Sequence, residues 1–163
     1  MADLLLKAPI QYEPLTKNRW TLRFPDDIGI QTFMLKSCDT PKPNINVNEM
    51  RFINTSTFTM GYVKWDSMNI TIRDFIAPSS SQALMEWFRL HHEALTGRSG
   101  YAVGYKKTLQ LELLDPVGVV VSAWRCEDCM LSGPIDFGSL DYGDDDVKEI
   151  TFTVQPDRCE QPY

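Results

Sequence analysis

The chain has 163 residues, 43% of them hydrophobic and 23% charged, which is the composition of one globular domain with a substantial core. The formal net charge is −6 and no window holds a dense basic cluster, so tight binding to a nucleic-acid backbone is excluded. No apolar run approaches the roughly 20 residues of a membrane span, and the run at residues 4–6 is too short for a secretory signal. We therefore expect a cytosolic protein, with no membrane partner, whose four cysteines are reduced thiols.

The first part of the chain has the hydrophobic pattern of β-strands. Residues 20–24 alternate apolar and polar side chains with the period of two expected of a half-buried strand. The chain turns at residues 25–29 and the alternation resumes over 30–37, so a β-hairpin is predicted. Two prolines in residues 39–43 predict a connection that leads into a strand over 45–53.

Residues 54–66 are predicted to form an extended loop before a strand over 67–75. The loop is rich in threonine and polar residues, yet it contains Phe58, Met60 and Tyr62. It is too long and too apolar for a simple turn. This composition indicates that the loop is more than an idle connection.

One helix is predicted over residues 80–96. Serines at 79–81 supply N-cap oxygens, and Gly97 is a suitable C-terminal stop. Apolar residues recur at helical spacing, namely Leu84, Trp87, Phe88, His91 and Leu95. The helix is therefore expected to lie across a sheet.

Strands dominate the remainder of the chain. Residues 107–114 alternate cleanly, turn at 115–118, and return over 119–125. A further strand is predicted over 129–135, with a break at Gly133, and the last strand over 149–155. About seven strands and one helix predict a mainly β fold, an antiparallel β sandwich or barrel with the α-helix packed outside.

The outward faces of the best-defined strands carry mostly uncharged hydroxyl and amide groups. These faces have two interpretations, a solvated outer wall or the lining of a water-filled bore. The residues concerned, which are the candidates for facing a lumen, are Asn69, Thr71, Arg73, Thr108, Gln110, Glu112, Thr151, Thr153 and Gln155.

Cys126 and Cys129 have the C-x-x-C spacing of half a zinc site or of a redox pair. A zinc site would need two more ligands from Cys38, Cys159, His91 and His92, which form no second C-x-x-C or H-x-x-x-H pair. Glu127 and Asp128 would disfavour a reactive thiolate by like-charge repulsion. The alternatives are ordinary strand cysteines and, for the histidines, packed or interfacial imidazoles rather than a catalytic base.

The acidic run at residues 141–146 could be a calcium loop or a solvated turn, and it lacks the EF-hand ligand pattern. No nucleophile elbow or glycine-rich phosphate loop occurs in the sequence. We therefore expect no catalytic residue, metal or cofactor, and a protein that is not an enzyme.

The order and spacing of several short phrases resemble the tail tube proteins of contractile-tailed, T4-like phages. The resemblance covers roughly residues 15–157. Between the two cysteines and Pro134, the sequence departs from the family's compact glycine, cysteine, aromatic, proline turn. The phrases are Lys64-Trp65-Asp66, Asn69-Ile70-Thr71-Ile72, Asp74-Phe75, Trp87-Phe88, Tyr105-Lys106-Lys107, the L-L-D-x-x-G turn at 113–118, Trp124, Cys129, Gly133-Pro134-Ile135, Leu140-Asp141-Tyr142, Asp144 and Ile150-Thr151-Phe152-Thr153-Val154.

This resemblance implies a structural role in the virion. Members of the family form hexameric rings whose sheets join edge to edge, and the rings stack into a hollow tube inside a contractile sheath. It implies a single tube domain over 1–163, with an N-terminal arm at 1–14, an inter-subunit loop at 54–66 and a C-terminal tail at 157–163. Inter-subunit contacts are then expected at Phe58, Met60, Tyr62 and Trp65, where an exposed apolar patch would gain burial.

The resemblance also implies the partners: other copies of the chain, the tail sheath protein, baseplate and tail terminator proteins, and the tape measure protein. DNA would pass through the lumen without tight binding, because an acidic wall repels it. Assembly would take place in the host cytoplasm. Alternatives with the same fold are the inner tube of a tailocin, of a contractile injection device or of a type VI secretion system, and a tail-end or baseplate ring. An alternative from a different functional class is a small metal-dependent or thiol enzyme built on Cys126, Cys129 and a histidine.

Overall fold

The structure is a computed structural model and describes residues 13–162. Its helices are α1 (Ser80–His91) and α2 (Ala102–Tyr105), with a short 3-10 turn at Thr32–Met34. Its strands are β1 (Trp20–Arg23), β2 (Leu35–Cys38), β3 (Pro43–Phe52), β4 (Thr55–Trp65), β5 (Met68–Arg73), β6 (His92–Glu93), β7 (Arg98–Ser99), β8 (Lys107–Leu114), β9 (Val120–Asp136), β10 (Glu149–Gln155) and β11 (Arg158–Glu160).

The main sheet has seven strands, with the path β1-β8-β9-β10-β5-β2 and β11 also paired to β9. Every pairing is antiparallel. The 17-residue β9 joins the two halves of the sheet, because its first part pairs with β8 and β11 and its last part pairs with β10. The register shifts at three places along β9, and at two of them Asp128 and Gly133 have φ of 54° and 65°. Such bulges bend a strand, so they allow one strand to serve both halves.

Helix α1 closes the core against the inner face of the sheet. The Ser79 hydroxyl caps the helix by accepting from the Gln82 N–H. Trp87 is 1% exposed and meets the rings of Phe24 and Phe152 edge to face. The core therefore contains the helix stripe and the inward residues of all the long strands of the main sheet.

The predicted mainly β fold, with antiparallel strands and one main helix, is confirmed. Strand β8 has the predicted bounds of 107–114, β10 has the predicted bounds of 149–155, and β5 lies within the predicted 67–75. The two strands predicted over 119–135 are one continuous strand, β9. Among residues 13–162, no helix is long and apolar enough to cross a membrane.

The predicted hairpin over residues 20–37 is wrong. β1 pairs with β8 and β2 pairs with β5, so the two strands lie at opposite ends of the main path. The intervening chain includes the 3-10 turn, which buries Met34. A period of two identifies a half-buried strand, but it does not identify the strand's partner.

The helix ends at His91, before the predicted end at 96. Residues 92–99 instead form a small hairpin of β6 and β7, in whose turn Gly97 has φ of 69°. Leu95 continues the helical spacing, but it is 97% exposed. The core ends at about His91, so an additional helical turn would have no apolar surface to cover.

The predicted loop at 54–66 is a strand. β4 spans Thr55–Trp65 and pairs with β3. Phe52 lies opposite Thr55 at the tip of this hairpin, and Pro43 lies opposite Trp65 at its base. The threonines that resembled loop composition are β-branched residues, which suit an extended strand. At the end of the chain, the predicted tail contains the short strand β11, and the predicted N-terminal arm lies mostly outside the described residues.

Candidate assembly surfaces

The β3–β4 hairpin forms the first candidate surface. Within residues 13–162, its two strands pair with each other and not with the main sheet. Phe58, Met60 and Tyr62 are 65%, 72% and 68% exposed. The register places Met60 opposite Val47, which is also exposed, so an apolar patch follows one face of the hairpin. An isolated two-stranded hairpin is at best marginally stable in water, so the exposed part of this one would gain stability from a partner surface.

The tip of the hairpin is also apolar, which the sequence did not indicate. Phe52 and Ile53 are both strongly exposed, and Ile53 has φ of 47°, a conformation that a β-branched residue rarely adopts. Met50 adds a third exposed apolar side chain on β3. The sequence predicted a strand over 45–53 without indicating which face is buried, and side chains on both faces of that strand are exposed.

Trp65 differs from the other predicted contact residues because it lies at the base of the hairpin. Its side chain is partly buried against the core and meets Trp124 edge to face, with ring centroids 6.4 Å apart. Its carbonyl accepts a hydrogen bond of 2.7 Å from the Gln155 amide. Trp65 therefore holds the hairpin to the body of the protein.

The second candidate surface is the outward face of β5 and β10. The hydroxyls of Thr71 and Thr151 are 3.2 Å apart, and Thr153 donates to the Asn69 side chain at 3.0 Å. Arg73, at the end of the same face, lies opposite Glu149 in the register. Five of the predicted lumen candidates are thus brought together into one polar face linked by hydrogen bonds.

The remaining lumen candidates are elsewhere. Gln155 is half-buried beside Trp65, and Thr108 and Gln110 are exposed on β8, in the other half of the sheet. The expectation that Glu112 faces solvent is wrong, since the residue is 4% exposed. Its carboxylate pairs with the Arg23 guanidinium at 3.0 Å and accepts from Gln110 at 3.0 Å, so the buried charge is compensated.

His91 has both ring nitrogens engaged. Its Nε2 accepts from the Leu131 N–H at 3.2 Å, so Nδ1 carries the proton and donates to the Trp87 carbonyl at 3.0 Å. The ring also stacks on Tyr105, with centroids 4.3 Å apart. This arrangement joins α1, α2 and β9, and it leaves no nitrogen available for acid–base chemistry or for a metal.

The C-x-x-C cysteines are buried in the core. The Cys129 thiol donates to the Cys126 carbonyl, at 3.4 Å. Contact with Cys129 and burial raise the pKa of Cys126 to about 12, so its thiol stays protonated at neutral pH. Within the described residues, the one cluster of three potential metal ligands is the exposed loop of Asp144, Asp145 and Asp146, where like charges are well solvated.

An overall fold of this kind is shared with solved tube and tube-terminator structures of contractile injection systems. The chain is similar to the tube-terminating cap of the anti-feeding prophage, with 16% identity and a TM-score of 0.74 over 99% of this chain and 98% of that one. It is also similar to a chain of the sheath–tube complex of the extracellular contractile injection system PVC, with 14% identity and a TM-score of 0.72 over 93% of both chains.

A third similar chain belongs to the anti-feeding prophage baseplate, solved with six-fold symmetry, with 14% identity and a TM-score of 0.69 over 92% of this chain and 96% of that one. No protein-family model matches the chain. No curated protein matches it by sequence. These similarities establish the fold. How copies of the chain assemble, and what an assembly carries, depends on the surfaces of the chain rather than on the fold.

Proposed function

We propose that this chain is a structural subunit that forms hexameric rings, and that the rings stack into the inner tube of a contractile apparatus. The observation that carries the proposal is the β3–β4 hairpin, which projects from the core with Phe58, Met60 and Tyr62 exposed. Burial of apolar surface in a neighbouring copy would supply the packing that the hairpin lacks in the single chain.

Edge strands of the main sheet suit the formation of a ring. The main path ends at β1 on one side and at β2 on the other, and an edge strand presents N–H and C=O groups that a neighbouring strand can pair with. Joining β1 of one copy to β2 of the next would extend the sheet around a closed ring. The similar baseplate chain in a six-fold symmetrised assembly supports six copies.

The polar face of β5 and β10 would then line the lumen. Its hydroxyl and amide groups offer no cationic cluster for phosphate, and the chain's net charge of −6 would keep DNA from adhering as it passes. The tube would be enclosed by a sheath protein and would meet baseplate, terminator and tape measure proteins. The role is structural, with no catalytic step.

A phage tail tube is the first candidate for the apparatus. The inner tube of a tailocin, an extracellular injection device or a type VI secretion system has the same wall requirements and is the alternative. The similarity to the tube-terminating cap favours a terminator ring. The TM-score for the cap is 0.74, however, and the TM-score for the sheath–tube chain is nearly the same, at 0.72.

Negative-stain electron microscopy and sedimentation of the concentrated protein test the proposal. Hollow tubes of uniform width are the expected result, and single rings that do not stack would instead identify a terminator. Compact monomers at high concentration, even with a baseplate protein added to start assembly, would exclude self-assembly.

A further inference from the structure

Two cysteines far apart in the sequence face each other where β9 and β11 pair. Cys126 and Cys159 are direct partners in the antiparallel register, and their sulfur atoms are 3.0 Å apart. Both side chains are buried. No sequence motif links them, because the recognisable C-x-x-C pair is Cys126 with Cys129.

The backbone geometry at this pair matches that of a disulfide. Directly opposed residues in an antiparallel ladder have Cα atoms roughly 4.5–5.5 Å apart, within the roughly 4.4–6.8 Å found for disulfides. The sulfurs must approach by only about 1 Å to reach a bonding distance. We infer that Cys126 and Cys159 close into an intrachain disulfide when the protein meets a small-molecule disulfide oxidant, which joins β11 covalently to β9.

Cys129 is not the expected partner of either cysteine. It follows the bulge at Asp128, and its thiol is directed to the Cys126 carbonyl on its own strand. The register pairs Cys129 with Lys107 of β8, away from β11. The cross-link should therefore bypass the C-x-x-C spacing that a reading of the sequence singles out.

The chemistry is thiol–disulfide exchange with oxidised glutathione as the co-reactant. One protein thiolate attacks the glutathione disulfide, forming a mixed disulfide and releasing one glutathione thiolate, which takes up the proton. The second protein thiolate then attacks the mixed disulfide, which forms the protein S–S bond and releases the second glutathione thiol. The protein loses two protons and two electrons, and one glutathione disulfide takes them up to become two thiols.

Burial controls the rate of this reaction. Contact with Cys126 and burial raise the pKa of Cys159, and the pKa of Cys126 is raised to about 12, so few thiolates are present at neutral pH. Strand β11 has only three residues and pairs with β9 at one edge, so local opening of this short strand would give the oxidant access. In a reducing compartment the pair stays as thiols, and it closes after exposure to oxidising surroundings. This inference does not depend on the proposed function.

Mass spectrometry of the full chain, oxidised under native conditions with glutathione disulfide and then alkylated, tests the inference. Trypsin cleaves after Arg125, Lys148 and Arg158, so the expected product joins peptide 126–148 to peptide 159–163. The initial rate should rise about tenfold from pH 7 to pH 8 as the thiolate fraction rises. The oxidised protein should melt on the order of 10 °C higher than the reduced protein.

Two single substitutions identify the partner, because Cys126 and Cys129 share one tryptic peptide. Cys126→Ser should abolish the joined peptide, whereas Cys129→Ser should retain it. Circular dichroism establishes that both variants are folded before oxidation. The inference is overturned if Cys126→Ser still forms the link, or if all thiols of the wild-type protein remain alkylatable after prolonged oxidation at pH 8.

Discussion

Asp74 lies where three segments of the chain meet, at the end of β5, beside the first turn of α1 and near the start of β10. One carboxylate oxygen accepts from the Ser81 N–H at 3.2 Å, and the other pairs with the Lys148 ammonium at 3.0 Å. Burial acts to raise the pKa of Asp74, but the hydrogen bonds from Lys148 and Ser81 outweigh it and hold the pKa below its ordinary value of 3.8. The ionised carboxylate therefore stabilises the folded chain.

The stabilisation by Asp74 should depend on pH. A carboxyl group with a lowered folded pKa contributes fully above 3.8 and loses its contribution as the pH falls through the folded pKa, which lies below 3.8. Asp74→Asn should therefore lower the free energy of unfolding by about 1–2 kcal/mol at pH 7, and by less at pH 3 and below. Urea unfolding at several pH values measures the difference. Asp145→Asn, in an exposed loop, is the control, and a difference that does not change with pH would contradict the assignment.

At the scale of elements, the hairpin of β3 and β4 has two regions with different roles. The base is packed on the body through Trp65, whereas the middle and tip expose apolar side chains such as Phe58 and Ile53. Substitutions at the base should therefore change folding, and those in the middle should change assembly. The two sets of variants separate stability from association.

Trp65→Ala should destabilise the folded chain even when no assembly occurs. The substitution removes the contact with Trp124 and opens a cavity beside the core, which should cost about 3 kcal/mol of unfolding free energy. Thermal or urea unfolding of the monomer measures this loss. An unchanged midpoint would show that Trp65 does not hold the hairpin to the body.

The double substitution Phe58→Ser with Met60→Ser should leave the monomer's unfolding free energy within about 0.5 kcal/mol of wild type, because both side chains are exposed. Rings or tubes should be lost, since the apolar patch would no longer be buried between copies. Sedimentation and electron microscopy report assembly. Leu95→Ser is the matched control, because Leu95 is 97% exposed but lies outside the hairpin. Normal tubes from the double variant would exclude the hairpin as the contact.

At the scale of the whole molecule, the net charge of −6 opposes the association of identical copies. The acidic loop contains Asp144, Asp145 and Asp146, all exposed, and contributes three of the 22 negative charges of the chain. In the proposed tube, apolar contacts through the hairpin would have to overcome this repulsion. Salt screens exposed charges, with a Debye length of about 10 Å at 0.1 M and about 3 Å at 1 M.

The assembled fraction should therefore rise with ionic strength. We expect more rings or tubes at about 500 mM than at about 20 mM sodium chloride, because the higher concentration screens the repulsion between the acidic copies. Light scattering and sedimentation measure the fraction. Replacing Asp144, Asp145 and Asp146 by Asn removes three negative charges and should lower the salt required. Dissociation of assemblies by salt would instead indicate an interface held by opposite charges.

Several features of the fold could be predicted because they depend on neighbouring residues. The alternation of Leu109 and Leu111 with polar residues placed β8 correctly, and the Asp115–Gly118 hydrogen bond closes the predicted turn. The candidate surfaces were predicted less completely. Phe58, Met60 and Tyr62 are exposed, whereas Glu112 is buried in an ion pair that joins β8 to Arg23 of β1. A glutamate on the polar side of a strand gives no local sign of such a partner.

The sequence by itself determined the mainly β class, the positions of β5, β8 and β10, and the acidic charge, because periodicity, turn residues and charge are local or additive properties. Only the tertiary structure decided that β1 and β2 lie at opposite ends of the sheet path, that residues 54–66 form a strand, and that Cys126 faces Cys159. A strand's pattern specifies which face is buried, whereas its partner is chosen by the packing of the whole core.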